Sequence, residues 1–181
     1  MSYKSQILPK TDLFKDVQIL VVDNDTDSRD LYAFLFETYG AQVASMESIA
    51  DALTHLECFI PDILICETRF CNEDILTLIQ RIKTVDLDRR RVIPTPILTV
   101  SAYYSANFIY NLLAMVENHL LKPIDIDCLV DEVWNLVNPL KKPQKANIKD
   151  WVMKHITQTK QQAVAKTHSI EVPSHSDGQF A

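Results

Sequence analysis

Val17-Gln18-Ile19-Leu20-Val21-Val22 runs directly into Asp23-Asn24-Asp25. A short apolar run that stops at a cluster of polar residues has the length of a buried strand rather than of a helix. Three later runs behave in the same way. Asp62-Ile63-Leu64-Ile65-Cys66 is followed by Glu67, Pro96-Ile97-Leu98-Thr99-Val100 by Ser101, and His119-Leu120-Leu121 by Lys122-Pro123. In an open parallel sheet the carboxyl ends of the strands face one crevice, where ligands bind. Two acids, an amide, a hydroxyl and a lysine are therefore expected to converge on one pocket.

Working outward, the stretches between these runs carry the helical period. After the first strand, Leu31, Phe34, Leu35 and Thr38 recur at i, i+3, i+4 and i+7, predicting a helix that stops at Gly40. Ala41–Ser45 alternates like a short strand, and Ser48 is placed to cap a helix with Ile49, Ala52, Leu53 and Leu56. A third helix carries Ile75, Leu78, Ile79 and Ile82, and Asp86-Leu87-Asp88-Arg89-Arg90-Arg91 then reads as a solvated charged loop. A helix from about 105 to 116 holds Phe108, Ile109, Leu112 and Leu113. The last, opened by Asp125 or Asp127, holds Leu129, Val130, Val133, Trp134 and Val137. Strict alternation of five strands and five helices predicts an α/β domain, a doubly wound five-stranded parallel sheet with right-handed crossovers, over residues 17–138.

Residues 1–16 read as an N-terminal extension and residues 139–181 as a basic tail. Within the tail, Ile148, Trp151, Val152, His155 and Ile156 would share one face of an amphipathic helix at about 147–166, and the aperiodic end reads as disordered. Seven lysines against Asp150, Glu171 and Asp177 give the tail a surplus of four positive charges. The net charge of −6 then leaves −10 for residues 1–138. An acidic domain followed by a basic tail invites docking of one on the other or on an acidic partner; a solvated tail is the plainer reading.

Composition narrows the function. A chain of 181 residues, 47% hydrophobic, holds one domain with a sizeable core. No run approaches the roughly 18 apolar residues of a membrane span, and the N-terminus has no signal-peptide stretch, so a cytoplasmic location is expected. Cys58, Cys66, Cys71 and Cys128 form no C-x-x-C pair, which disfavours zinc or dithiol chemistry. With only Gly40 and Gly178, the chain cannot build a Gly-rich phosphate loop, which argues against a nucleotide-binding enzyme. No helix-turn-helix or RNA-binding motif accompanies the lysines, so nucleic acid is a weak candidate partner.

Taken in order, Ile19–Asp25, Pro61–Glu67, Val100-Ser101-Ala102 and Leu121-Lys122-Pro123 resemble the receiver domain of two-component response regulators. The resemblance covers about two-thirds of the chain and implies the flavodoxin-like (βα)5 fold. It also implies a function: accepting a phosphoryl group from a histidine kinase onto an aspartate, with Mg²⁺, so as to alter which partner is bound. Such a module is a switch, not an enzyme. By this resemblance Asp23 matches the first acid of the family's acidic pair, and Asn24 stands where the second, metal-contacting aspartate belongs. Glu67 occupies the phosphoacceptor position. Ser101 and Lys122 match the hydroxyl and lysine that contact the phosphoryl group, and His119 stands at the position of the Tyr or Phe that turns inward on activation. The working surface would be the last two helices and the strand between them, roughly residues 105–137, with the tail as a dimerisation or docking element.

The departures push one way. Asn24 offers Mg²⁺ a neutral oxygen, and Glu67 carries its carboxylate one methylene, about 1.5 Å, further out. Phosphoryl transfer depends on in-line placement at that scale. The longer carboxylate is expected instead to reach Lys122 and the Ser101 hydroxyl, relieving charge repulsion inside the pocket. This predicts a pseudo-receiver, uncoupled from phosphorylation and acting by protein–protein contact. The alternatives are a phosphorylatable, Mg²⁺-dependent single-domain regulator and a flavodoxin-like ligand-binding protein. A purely structural pocket, with Asp23 and Asp25 capping the first helix and Lys122 a buried counter-charge, is the bland alternative.

Overall fold

The structure, a computed structural model, describes residues 12–102 and 112–138. A 3-10 turn at Asp12–Phe14 leads into β1 (Gln18–Val22), α1 (Thr26–Thr38), β2 (Gln42–Met46), α2 (Ile49–His55), β3 (Ile63–Glu67) and α3 (Ile75–Asp88). Then come β4 (Ile97–Ser101), β5 (Asn118–Leu121) and α4 (Ile126–Val137). The expected helix at 105–116 falls largely on residues outside the described ones, as does the whole tail, including its expected helix at 147–166. Of the former, Leu112 and Leu113 are described and fully buried.

All five strands are parallel, in the order β2-β1-β3-β4-β5. That order reverses at β1/β3, the switch point where a doubly wound sheet opens its crevice. Each strand lies within about one residue of its expected position, because β1, β3 and β4 carry apolar residues on both faces and are buried but for Gln18 at the start of β1. Leu20, Val22, Leu64, Cys66 and Ile97 face one way, against α2, α3 and Leu112–Val116. Ile19, Val21, Ile63, Ile65, Leu98 and Val100 face the other, against α1 and α4. Phe14, ahead of the first strand, is fully buried in this second core, edge-on to Phe36 at 5.4 Å and Trp134 at 6.0 Å.

Helix ends follow local chemistry. Asp25, Ser48, Asp74 and Asp125 each accept a backbone N–H from the first turn of the helix they cap. α1 ends in a Schellman arrangement: Gly40 N–H donates to the Glu37 carbonyl and Ala41 N–H to that of Phe36, with Gly40 at φ 92°.

Two expectations are corrected. The stripe Leu31–Phe34–Leu35–Thr38 is not the buried face of α1. Tyr32 and Phe36 are buried, while Leu31 and Phe34 are 47% and 68% exposed. The same i, i+3, i+4, i+7 template, started one residue later, catches Tyr32, Leu35, Phe36 and Tyr39, all of which pack on the second core. Packing against Phe14 and the apolar residues of α4 selects the second phase. The solvated-loop reading of Asp86–Arg91 holds only for its middle: Leu87–Arg90 are exposed, but α3 continues to Asp88 and Asp86 is buried. Its carboxylate accepts Thr95 N–H and Oγ1 (both 2.7 Å), while Arg91 donates to the Pro61 carbonyl and to Asp62 (2.8 and 3.1 Å).

Candidate functional site

The crevice at the strand ends collects the expected residues, but not in equal roles. β1 ends at Asp23, almost fully buried, whose Oδ1 accepts the Asp25 N–H at 2.9 Å. β3 ends at Glu67, also buried, and Lys122 follows β5. The Lys122 ammonium lies 2.8 Å from Asp23 Oδ2 and 3.2 Å from Glu67 Oε2. One lysine thus bridges both acids. Burial alone would lower its pKa, but the Asp23 hydrogen bond and the charges of Asp23 and Glu67 outweigh that and hold it above the usual lysine value.

The other Glu67 oxygen, Oε1, accepts the Thr68 backbone N–H at 2.6 Å and the Thr68 hydroxyl at 3.2 Å. Thr68 was not singled out from sequence; its place directly after the β3 acid is the one signal that pointed to it. Ser101 is buried at the end of β4, and its carbonyl accepts the Lys122 N–H at 2.9 Å.

Asn24 and Asp25 are exposed, unlike the two acids of the triad. Asn24 donates from its amide to the Arg69 carbonyl at 3.2 Å, tying the loop after β1 to the loop after β3. Asp25 caps α1 through Ser28 N–H at 2.7 Å, a bond that lowers its carboxyl pKa. Of the bland expectations, capping therefore falls to Asp25 and charge pairing to Asp23. A second tie was also missed. Glu73, after β3, accepts Ile49 N–H and Ala50 N–H (3.0 and 2.9 Å) and so anchors that loop to the start of α2.

His119 is fully buried, with Nδ1 2.9 Å from Thr99 Oγ1. Among the described residues its Nε2 has no hydrogen-bond partner. Burial lowers its pKa, although the Glu67 charge opposes the shift. Cys66, on the same face of the sheet, donates to the Glu67 carbonyl, and burial pushes its thiol well up, which keeps it in the unreactive protonated form.

Mg²⁺ requires several oxygens in near-octahedral geometry. Here each of the four carboxylate oxygens of Asp23 and Glu67 already accepts from a protein donor, the Lys122 ammonium stands between the two acids, and position 24 supplies only a neutral amide oxygen. As arranged, these residues do not fit the ion. Among the described residues no helix is long and apolar enough to cross a membrane.

The response regulator receiver domain family matches residues 19–134. The chain belongs to that family. An Escherichia coli protein named Regulator of RpoS is 32% identical over 124 residues, covering 67% of this chain and 35% of its own length. An uncharacterised 14.6 kDa protein of Leptolyngbya boryana is 35% identical over 86 residues, 48% of this chain and 64% of its own. The chain thus spans less than two-thirds of either relative. Among solved structures, the receiver domain of a Francisella response regulator superposes with a TM-score of 0.58 at 23% identity, over 70% of this chain and 100% of that one. That likeness speaks to the fold, and it agrees with the flavodoxin-like order of the strands. The triad of Asp23, Glu67 and Lys122 therefore sits in the crevice of a receiver domain.

Proposed function

We propose that this receiver domain is a pseudo-receiver, in which the Glu67 carboxylate holds the place of a transferred phosphoryl group. The reading rests on one observation: both Glu67 oxygens are engaged, one by Lys122 at 3.2 Å and the other by Thr68. Lys122 is the residue that, by family resemblance, would contact the phosphoryl group. An anion already bonded there offers neither a free nucleophile nor room for an incoming phosphoryl group. The competing donors on Asp23 and the amide at Asn24 weaken Mg²⁺ attraction, and phosphoryl transfer depends on that charge neutralisation. His119, buried against Thr99, has the inward placement that the family's aromatic residue takes on activation. The domain would therefore present one binding surface constitutively to a signalling partner, such as a histidine kinase or a downstream regulator.

The test is direct. The native protein and the Glu67→Asp/Asn24→Asp variant are incubated with Mg²⁺ and acetyl phosphate, and intact mass is followed. The expected result is gain of one phosphoryl group by the variant and none by the native protein. Labelling of the native protein at the variant's rate refutes the reading and favours a phosphorylatable regulator. Absence of label in both means the pocket differs from an active one by more than these two side chains.

A further inference from the structure

With Tyr32 and Phe36 turned into the core, α1 leaves an apolar ridge on the outside of the domain. Leu31 and Phe34 lie one turn apart on α1, exposed, and Asp27, Asp30 and Glu37 stand exposed on the same stripe. No cation offsets these acids from within the helix. Its one basic residue, Arg29, is turned inward, donating to the Asp23 carbonyl at 2.7 Å and to Thr26. An exposed pair of large apolar side chains framed by one sign of charge is a surface suited to a basic amphipathic segment.

The chain carries one such segment. Ile148, Trp151, Val152 and Ile156 recur at helical spacing, flanked by Lys145, Lys149, Lys154 and Lys160, and Asp150 is the one acid between residues 139 and 170. We propose that residues 147–156 dock as a helix along α1, setting Trp151 and its apolar neighbours on Leu31 and Phe34 and the lysines against Asp27, Asp30 and Glu37.

Topology supplies the reach. α1 and α4 both return against parallel strands on one face of the sheet, so their C-terminal ends lie together. Phe14 marks the spot, with ring centroids 6.2 Å from Tyr39 and 6.0 Å from Trp134. The chain leaves α4 at Asn138, one turn past Trp134. Eight residues, 139–146, precede the segment and extend to about 26 Å, more than the ~20 Å length of α1.

Two other arrangements are less suited. The second exposed apolar patch, Leu87, Val92 and Ile93, lies at the end of α3 on the opposite face of the sheet, beside exposed Arg89 and Arg90. Like charge there repels the lysines. A second copy of α1 placed on the ridge would oppose acids to acids.

Photo-crosslinking in the full chain tests the proposal. A benzophenone side chain replaces Phe34, with replacement of Val92 as the control, and products are mapped by peptide mass spectrometry. The expected product is an intrachain link from position 34 to residues 148–156, absent from position 92. A link between two chains, or tail labelling no greater than from position 92, overturns the proposal. As a second measurement, trypsin cleavage at Lys149 and Lys154 is compared in the native chain and in Leu31→Asp/Phe34→Asp, at exposed positions where the fold tolerates charge. Cleavage about tenfold faster in the variant is expected once the apolar cover is lost. Equal rates overturn the docking.

Discussion

Replacing Lys122 with methionine keeps the stem that packs in the crevice but deletes the ammonium between two buried acids. Two contacts go, at 2.8 Å to Asp23 and 3.2 Å to Glu67. Each hydrogen bond to a charged group is worth about 1.5–3 kcal/mol, and stripping a buried pair of one partner costs about 3–5 kcal/mol. The Lys122 side chain is 19% exposed, so water reaches the abandoned carboxylates and the cost falls to the lower end. Lys122→Met should therefore destabilise the domain by about 3 kcal/mol. Glu67→Gln alone should cost about 1 kcal/mol, because Lys122 keeps Asp23. In the double variant a neutral amide faces Asp23, so the combined loss should fall short of the sum by about 1.5 kcal/mol. Urea unfolding followed by far-UV circular dichroism gives all four stabilities. A Lys122→Met loss below about 0.5 kcal/mol, or additivity within about 0.3–0.5 kcal/mol, would refute the view that the lysine and Glu67 form one unit.

Other outcomes follow from the same geometry. Because the Lys122 pKa is raised in the folded domain, its stabilising contribution is complete below about pH 10.4 and is lost as pH climbs through the folded value. Urea midpoints of the native protein should fall across that alkaline range, and Lys122→Met should remove that part of the fall. His119 shifts the other way: its folded pKa is lowered, so the unfolded chain binds the proton more readily and stability drops as pH falls below about 6.5. His119→Phe should flatten the stability profile there; an unchanged acid slope would show that His119 is not its source. Glu73→Ala frees the Ile49 and Ala50 N–H groups at the start of α2 and should cost about 1 kcal/mol in thermal or urea unfolding.

The strands and the pocket were legible because each rests on a local signal. β1, β3 and β4 are continuous apolar runs, and a polar residue at the end of a parallel strand has nowhere to go but the crevice. The phase of α1 was not legible, since two overlapping stripes satisfy one period and only packing against Phe14 and α4 selects Tyr32 and Phe36. Asp86 and Arg91 read as surface charges because their partners, Thr95, Pro61 and Asp62, are brought near by the fold alone. Glu67 was expected to reach Lys122 and the Ser101 hydroxyl; it meets Lys122 at 3.2 Å, while its other oxygen bonds Thr68, whose only sequence signal is its place directly after the β3 acid.

The bridge from Lys122 to Asp23 joins residues 99 apart in sequence. It connects the segment after the edge strand β5 with the end of β1, across β4 and β3. With so large a sequence separation, such a clasp is expected to close late, after the intervening strands have paired. Its free energy then acts on the escape rate of the native state and not on the speed of reaching it. A metal-centred pocket gains and loses such stabilisation with its ligands, whereas a covalently fixed carboxylate keeps it throughout. Glu67 and Lys122 thereby make the crevice a determinant of how long each folded molecule survives.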